Sequence, residues 1–419
     1  MSKVTEGQID ELKAKAGRNE ITREMLQAFL DNARRETEQR MFVSLLLERM
    51  RHAGYELIPC VGGSGDAPFI WASIAVASRE LRDFYQFQLV CEKHCAFDHG
   101  EFASGEVRFR VARKEYDLAR QALKSLQSIF GDTYDRVPKS AVLIACATQE
   151  EADFKAAESC LHGFSRWLNS DMVVAFYLDM GIRGERPNYL ESLAERNTHL
   201  SEYQRYQLAD GFRRLGYFVP ARREANKIIM GSAMHLKSDA FVRIGFDSGD
   251  PSDLVNARKA AWAETYENKQ AKAFANIYRL SNDQSDLAAA REAATHEHDA
   301  LSRTAAWAEI AAITKAPGDF VQAETALPPR TARGSLHDWT LELLATCYAK
   351  AGNFVPAFRI VREFPKDAQY QISNTLIAIS QSYAAEEKLK AAAKTIERIG
   401  PPYWRAQGFL ALHADIAQD

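Results

Sequence analysis

The chain has 419 residues, of which 46% are hydrophobic and 26% charged. This is ordinary globular composition and excludes extensive disorder. A net charge of −3, from 53 basic and 56 acidic residues, excludes the positive excess typical of a nucleic-acid-binding protein at the level of the whole chain. A single core stops growing at about 250–300 residues, so a chain of this length is expected to divide into domains or to repeat a small unit.

The sequence features that bear on cellular location predict the cytoplasm. The N-terminal segment MSKVTEGQIDELKAKAG is charged and lacks the apolar core of a secretory signal. The longest apolar runs, at 69–77 and 172–178, are far shorter than the roughly 20 residues that span a bilayer. Six irregularly spaced cysteines do not form a disulfide pattern and are expected to be reduced. We therefore expect a cytoplasmic protein without membrane insertion.

The first hundred residues are predicted to be helical at 8–17, 21–53 and 69–95, with a loop from 54 to 68. We expect residues 1–100 to form either a helical N-terminal cap or a small helical module. The glycine-rich run at 62–66 precedes a helix, as phosphate-binding loops do. It is followed by no Lys-Ser or Lys-Thr and preceded by no apolar strand, so we interpret it as a flexible linker.

A second feature of this region is a cluster of potential zinc ligands. Helical spacing places Cys91, His94 and Cys95 on one face with Asp98, and His99 follows directly. Zinc could therefore brace the end of the helix. Structural zinc sites usually draw ligands from two separated segments, and the chain has no second CxxC or HxxxH pair. Buried thiols beside polar histidines are the preferred interpretation, and whether these residues bind a metal stays open.

From residue 104 onward a short pattern recurs: an aromatic residue or leucine, two further residues, then alanine. The recurrent alanines are Ala119, Ala157, Ala221, Ala257, Ala290, Ala323, Ala357 and Ala392. Their spacing stays close to one value, except that the interval from Ala157 to Ala221 is nearly twice as long and contains the segment 187–196. Internal repetition with a period of about 34 residues is typical of stacked helical hairpins.

Upstream of several of these alanines lies a second cluster. A large residue precedes a small one (Ala209, Ala311, Ala345 or Ser380), and in three of these copies an aromatic residue follows one turn later. The small residue is expected to let the second helix approach closely. Gly216, Gly318 and Gly352 are expected to end the first helices, because glycine adopts the left-handed conformation without steric cost.

This order of small and aromatic positions resembles the tetratricopeptide repeat, over residues 104–419 and most closely from 200 onward. The resemblance implies an all-α fold, an α-solenoid of antiparallel helix-turn-helix repeats over 101–419. Several copies depart from the pattern: they lack the closing proline, and the copies at 238–270 and 271–303 have serine in place of the second aromatic residue. A related helical-hairpin solenoid is the alternative.

The resemblance also implies a function. First helices of such repeats line a concave groove that binds a protein or peptide segment, so we expect a scaffold or adaptor. The sequence contains no GxSxG, HExxH, P-loop or kinase motif, and we expect neither catalysis nor a cofactor.

The repeat register predicts which polar and aromatic side chains line the groove. Arg213, Lys272, Arg279 and Lys315 are expected to form a basic ladder that favours an acidic partner. Tyrosine, tryptophan and arginine dominate the energetics of protein interfaces. Two alternatives are a peptide-responsive regulator and RNA binding, the latter not favoured by the net charge. The predicted groove residues are Lys139, Tyr203, Tyr206, Asp210, Arg213, Lys272, Arg279, Lys315, Trp339, Glu342 and Lys350.

Overall fold

The computed structural model describes residues 23–57, 66–94, 99–131, 135–164, 170–196, 200–229, 231–328 and 335–417. Over these ranges the chain forms α-helices and one 3-10 helix at Gly231–Ala233, without a strand. The predicted all-α class is confirmed. None of the described helices has the length and apolarity needed to cross a bilayer. The α-helices are α1 Arg23–Leu57, α2 Asp66–Ser78, α3 Leu81–His94, α4 His99–Ala112, α5 Tyr116–Phe130, α6 Arg136–Thr148, α7 Glu151–Phe164, α8 Ser170–Ile182, α9 Pro187–Arg196, α10 Glu202–Arg214, α11 Phe218–Asn226, α12 Met234–Ser248, α13 Pro251–Trp262, α14 Glu267–Ser281, α15 Gln284–His296, α16 Ala300–Thr314, α17 Pro317–Ala326, α18 Ser335–Lys350, α19 Phe354–Val361, α20 Gln369–Ala385, α21 Leu389–Ile396 and α22 Pro402–Ala417.

The described chain divides by its contacts into two compact units. One contains residues 97–375, and the other combines residues 1–96 with 376–419. The second of these is discontinuous in sequence: α1 packs against α22, and Gln39 Nε2 donates a hydrogen bond to the Ile416 carbonyl oxygen at 3.0 Å. The repeat pattern placed residues 376–419 at the end of the array, and nothing in that pattern indicates their packing against the N-terminal helix.

Helix pairs follow one another along the chain. The two helices of each pair from α2–α3 to α18–α19 pack together, and in α20–α21 the hydroxyl of Ser380 donates to the Ala392 carbonyl oxygen at 3.0 Å. In the unit of residues 97–375, the first helix of each pair also contacts the first helix of the next, from α4–α6 to α16–α18. This is the neighbour-to-neighbour packing of a helical array.

The recurrent alanines hold the two helices of each pair together. All eight are fully buried, and so are Ala209, Ala311, Ala345 and Ser380 on the first helices. The prediction that these positions are buried is therefore confirmed. In the gap between Ala157 and Ala221, α9 provides Leu190 and Leu193 instead, both buried. A methyl group or hydroxyl at the contact lets the two backbones approach, and any larger side chain there would push the helices apart.

Each pair turns through one residue with positive φ. These residues recur at nearly regular intervals: Arg79, Lys114, Gln149, Glu185, Gly216, Gly249, Asn282, Lys315, Gly352 and Glu387. Gly216 and Gly352 end first helices as predicted. The prediction for Gly318 is wrong, because Lys315 takes the left-handed position with φ 56° and Pro317 opens the next helix. Proline suits the first helical position, so α17 has already begun at Gly318.

The region 69–95 is helical as predicted, but it is divided into α2 and α3, which form a hairpin. Arg79 turns the chain with φ 59°, and the hydroxyl of Ser78 accepts the Glu80 backbone N–H at 3.1 Å. The same bond recurs from Glu150 to Thr148 and from Asp283 to Ser281. The type of turn found in the later hairpins therefore also occurs upstream of residue 104. The predicted helix at 8–17 lies outside the described residues. The one at 21–53 corresponds to α1, but the predicted loop of 54–68 is too long, because α1 continues to Leu57 and α2 begins at Asp66.

Among the described residues, five arginine–aspartate pairs each connect a helix to the next hairpin along the chain. In each pair the guanidinium donates from Nε and Nη2 to both oxygens of an aspartate that opens the next second helix, at 2.6–3.0 Å. In four of them a serine or threonine five residues upstream also donates to the aspartate. Such two-point bonds fix orientation as well as distance. We call these the inter-repeat pairs: Arg51–Asp83, Arg120–Asp153, Arg222–Asp253, Arg258–Asp286 and Arg291–Asp319.

The inter-repeat pairs predict a stability difference between two aspartates that contact the same arginine. Asp153 is buried and accepts from Arg120 and Thr148, whereas Asp117 is exposed and accepts from Arg120 at 2.9 Å. We expect Asp153→Ala to lower the free energy of unfolding by about 1–3 kcal/mol, because the Arg120 and Thr148 donors lose their acceptor. Asp117→Ala should change it by less than about 0.5 kcal/mol. Urea denaturation followed by circular dichroism measures both, and equal effects would contradict the assignment.

The same pair predicts a pH dependence. The hydrogen bond from Arg120 lowers the pKa of Asp153 below its ordinary value, against an opposing effect of burial. A depressed pKa in the folded state gives stability that is present above the unfolded pKa and lost as pH falls through the folded pKa. The stability gap between wild type and Asp153→Ala should therefore narrow on acidification. A gap that widened towards low pH would overturn this prediction, and denaturation series across pH values measure it.

Candidate protein-binding face

The predicted groove residues on α10 share one side of that helix. Tyr203, Tyr206, Asp210 and Arg213 follow each other at helical spacing. The corresponding sides of α12, α14, α16 and α18 continue this surface from one repeat to the next, because consecutive first helices are in contact. We call the surface formed by these sides together with the start of α20, which meets α18 through Tyr370, the first-helix face; it covers residues 202–375.

Asp239 joins three helices on this face. It accepts a hydrogen bond from the Tyr206 hydroxyl at 2.6 Å and another from Arg243 Nε at 2.7 Å. Asn276 Nδ2 reaches its other oxygen at 3.5 Å. Burial, then the bond to Asp239, raises the pKa of Tyr206 above its ordinary value. The ring of Tyr203, more than half exposed, stacks beside Tyr206 with centroids 6.2 Å apart.

The positive charges of the predicted ladder lie beside carboxylates. Arg213 Nε donates to Asp210 Oδ1 at 2.9 Å, and Nη1 is paired with Asp247. Lys272 Nζ donates to Glu309 Oε1 at 2.8 Å. Burial opposes the charge of Lys272, but the attraction and hydrogen bond of Glu309 outweigh it and raise the lysine pKa.

The remaining predicted cations lie apart from these pairs. Arg279 is exposed on α14, whereas Lys315 closes the turn after α16. Lys139 pairs with Asp135 on α6 at 2.8 Å, and Lys350 is exposed at the end of α18. The face therefore carries both signs of charge, many of them already paired.

The C-terminal end of the face is aromatic. Trp339 on α18 and Tyr370 on α20 meet edge to face, with ring centroids 5.6 Å apart and an interplanar angle of 61°. One turn further along these helices, the Asn374 amide lies beside the Glu342 carboxyl group. Glu342 Oε2 is buried without a hydrogen-bond partner. Burial raises the pKa of this carboxyl, and the Asn374 amide partly opposes the shift.

Several face residues were missed from the sequence. Asp239, Arg243 and Phe246 lie one repeat after Tyr206, Asp210 and Arg213. Adding the repeat period to the predicted residues of α10 would have found them. The repeat period does not indicate Tyr370 and Asn374, which belong to the face because they lie against α18.

The side chains of the possible metal site lie mostly outside the described part of the chain. Cys91 is buried on α3, but the side chains of His94, Cys95 and His99 lie outside the described residues. Among the residues that the structure does describe, no three His, Cys, Asp or Glu side chains are grouped as a metal site would require. Positions 62–65 of the glycine-rich run are likewise outside the description.

A cleft of about 450 Å³ occurs in the unit that contains both α1 and α22. It is lined by Glu48, Arg49, His52, Glu56, Glu397, Arg405 and Phe409. Its charges pair with each other, as Arg49 with Glu397 and Arg405 with Glu56. This lining holds two helices together and offers few free groups to a ligand.

No protein-family model matches the chain, and no curated protein matches its sequence.

The Tyr206–Asp239 bond predicts the ionisation of a single tyrosine. In wild type Tyr206 should stay protonated at alkaline pH where exposed tyrosines ionise, because both burial and a neighbouring carboxylate oppose a phenolate. Asp239→Asn should lower its pKa towards the ordinary value. Tyrosinate absorbance, with Tyr206→Phe as the reference that identifies this residue, measures the change. An unaltered titration in Asp239→Asn would show that the bond does not control Tyr206.

Proposed function

We propose that this protein is a non-enzymatic scaffold that holds a segment of a partner protein on the first-helix face. The observation that carries the proposal is the set of large apolar side chains exposed there: Tyr203, Phe246, Leu336 and Trp339. Phe246 is 72% exposed and Leu336 70%. Exposed apolar groups rimmed by polar residues are typical of interaction surfaces, and aromatic anchors contribute most of the binding energy.

The polar network between these side chains supports the same proposal. Tyr206, Asp239 and Arg243 are already bound to one another, so a partner does not have to order them. Preorganised side chains reduce the entropic cost of association. Their bonds also connect α10 with α12, which keeps the exposed rings of neighbouring repeats at fixed separations.

The charges favour one class of partner over the alternatives. A uniformly acidic segment or an RNA would need unpaired cations, but Arg213 and Lys272 already lie against carboxylates. We therefore propose a segment with apolar side chains and both signs of charge, in place of the acidic partner inferred from the sequence. A peptide-responsive regulator would use the same face and stays an alternative function.

The proposal extends to the fold and location. A period of about 34 residues, buried alanines and short turns support a tetratricopeptide-like solenoid for the hairpins of residues 99–375. Cys91, Cys146, Cys160 and Cys347 are free thiols among the described residues. Free thiols support a reducing compartment, the cytoplasm.

The test compares capture by two double variants of the full chain. Tyr203→Ala with Phe246→Ala removes two rings from the first-helix face. Val219→Ala with Val355→Ala is the matched control, since these valines are 75% and 84% exposed on second helices. Proteins retained by wild type, counted by quantitative mass spectrometry, should fall by about tenfold or more with the first variant, because a truncated anchor costs about 2 kcal/mol. The control should retain them.

The binding must then be reproduced with purified components. The retained protein is cut into segments, and one segment should bind wild type and the valine control equally and the ring variant about tenfold more weakly. Circular dichroism checks that all variants fold. Retention that survives loss of both rings, or that the valine control loses instead, would assign the partner to another surface.

A further inference from the structure

The C-terminal end of the first-helix face combines two aromatic rings with a carboxylate that lacks a donor. We call Trp339, Glu342, Tyr370 and Asn374 the Trp339 cluster. Trp339 is 47% exposed and Tyr370 42%, and their edge-to-face contact holds both rings at a fixed angle. Two large half-exposed rings on adjoining helices present apolar surface to solvent.

Glu342 belongs to the same surface. It lies three positions after Trp339, and Asn374 lies four after Tyr370, so the ring contact and the carboxyl–amide pair are neighbouring contacts between the same two helices. The Asn374 amide favours the charged form of the carboxyl group. The buried Oε2 has no hydrogen bond from the protein. A buried acceptor without a donor is unfavourable, and rotation of the half-buried Glu342 side chain toward solvent would let an incoming donor relieve that cost.

The cluster lacks its own cation. Elsewhere on the face carboxylates have basic neighbours, as Asp210 has Arg213 and Glu309 has Lys272. No described arginine or lysine forms an ion pair with Glu342. Ring faces attract cations through their quadrupole, and a carboxylate beside them adds charge and a hydrogen-bond acceptor.

We infer that the Trp339 cluster binds an arginine side chain of the partner segment. Arginine fits better than lysine, because its planar guanidinium can stack on a ring while its N–H groups donate to a carboxylate. This inference rests on the proposed function and gives it a specific contact: a segment held by its apolar side chains near Tyr203 and Phe246 carries an arginine where it passes α18.

The test measures the cluster alone with small probes and the full-length protein. The chain contains six tryptophans, and labelling with 5-fluorotryptophan gives each a ¹⁹F signal. Trp339→Phe identifies the signal of Trp339. N-acetyl-argininamide is titrated against N-acetyl-citrullinamide, which has nearly the same shape but no charge. The signal of Trp262, exposed on α13, serves as the internal reference.

We expect the Trp339 signal to shift saturably with the arginine probe and the Trp262 signal to stay in place. The citrulline probe should bind about tenfold more weakly, and so should the arginine probe with Glu342→Gln. Tyr370→Leu is a second variant that removes one ring and keeps the carboxyl group, and it should also weaken binding. Circular dichroism confirms folding of both variants.

Three results would overturn the inference: no saturable shift, equal affinity for the two amide probes, or unchanged affinity in Glu342→Gln. Tetramethylammonium is a further arm, and binding of this ion as tight as that of the arginine probe would assign the cluster to a small quaternary cation. The readout is independent of the capture experiment, which alters Tyr203 and Phe246. Lost capture with an intact ¹⁹F response, or the reverse, therefore separates the two proposals.

Discussion

The two-point bond between an arginine of one repeat and an aspartate of the next is the interaction on which the order of the array depends. Burial of alanines brings the helices of one hairpin together, but apolar contact alone leaves two hairpins free to slide past each other. A guanidinium that donates to both oxygens of a carboxylate, as Arg222 does to Asp253, fixes both the distance and the angle between the two helices that carry these residues. Asp253 is fully buried, so its orientation is set tightly.

The inter-repeat pairs also explain where the second helices differ in length. Ser248, Ser281 and Thr314 donate hydrogen bonds to their aspartates from just before the turn. In these hairpins the recurrent alanine lies eight residues after the left-handed position, as Ala323 does after Lys315, against five for Ala221 after Gly216. The second helix begins two residues after the left-handed position in both cases, so the three additional residues lengthen the helix before its alanine, and the aspartate lies among them. An additional turn of helix therefore accompanies the arginine contact.

The parts of the fold that follow from local spacing could be predicted from the sequence. The period of Ala221, Ala257 and Ala290 gave both the helical hairpins and the burial of those residues. The turn at Lys315 could not be predicted in this way, because the left-handed conformation is unfavourable for most residues with a side chain and lysine carries no turn signal. The hairpin of α2 and α3 was missed because Phe87 stands where later repeats have alanine.

The candidate face was predicted in part. Helical spacing placed Tyr203 and Tyr206 side by side, but charge pairing is a long-range property that spacing within one helix does not reveal. The partner of Lys272 is Glu309, a full repeat further along the chain. The sequence therefore suggested a row of positive charges, whereas the structure pairs two of these cations with carboxylates, Arg213 with Asp210 and Lys272 with Glu309. The same limit hid the meeting of Trp339 with Tyr370.

The bond between Gln39 and Ile416 has a consequence for synthesis. The two residues are 377 positions apart, so the ribosome has nearly finished the described chain before α1 can meet α22. The hairpins of residues 97–375 rely on neighbours made moments earlier and can assemble as they emerge. Until α22 has been made, the apolar side of α1 that packs against it stays exposed to solvent. Chaperone protection during translation would therefore matter most for the residues made first.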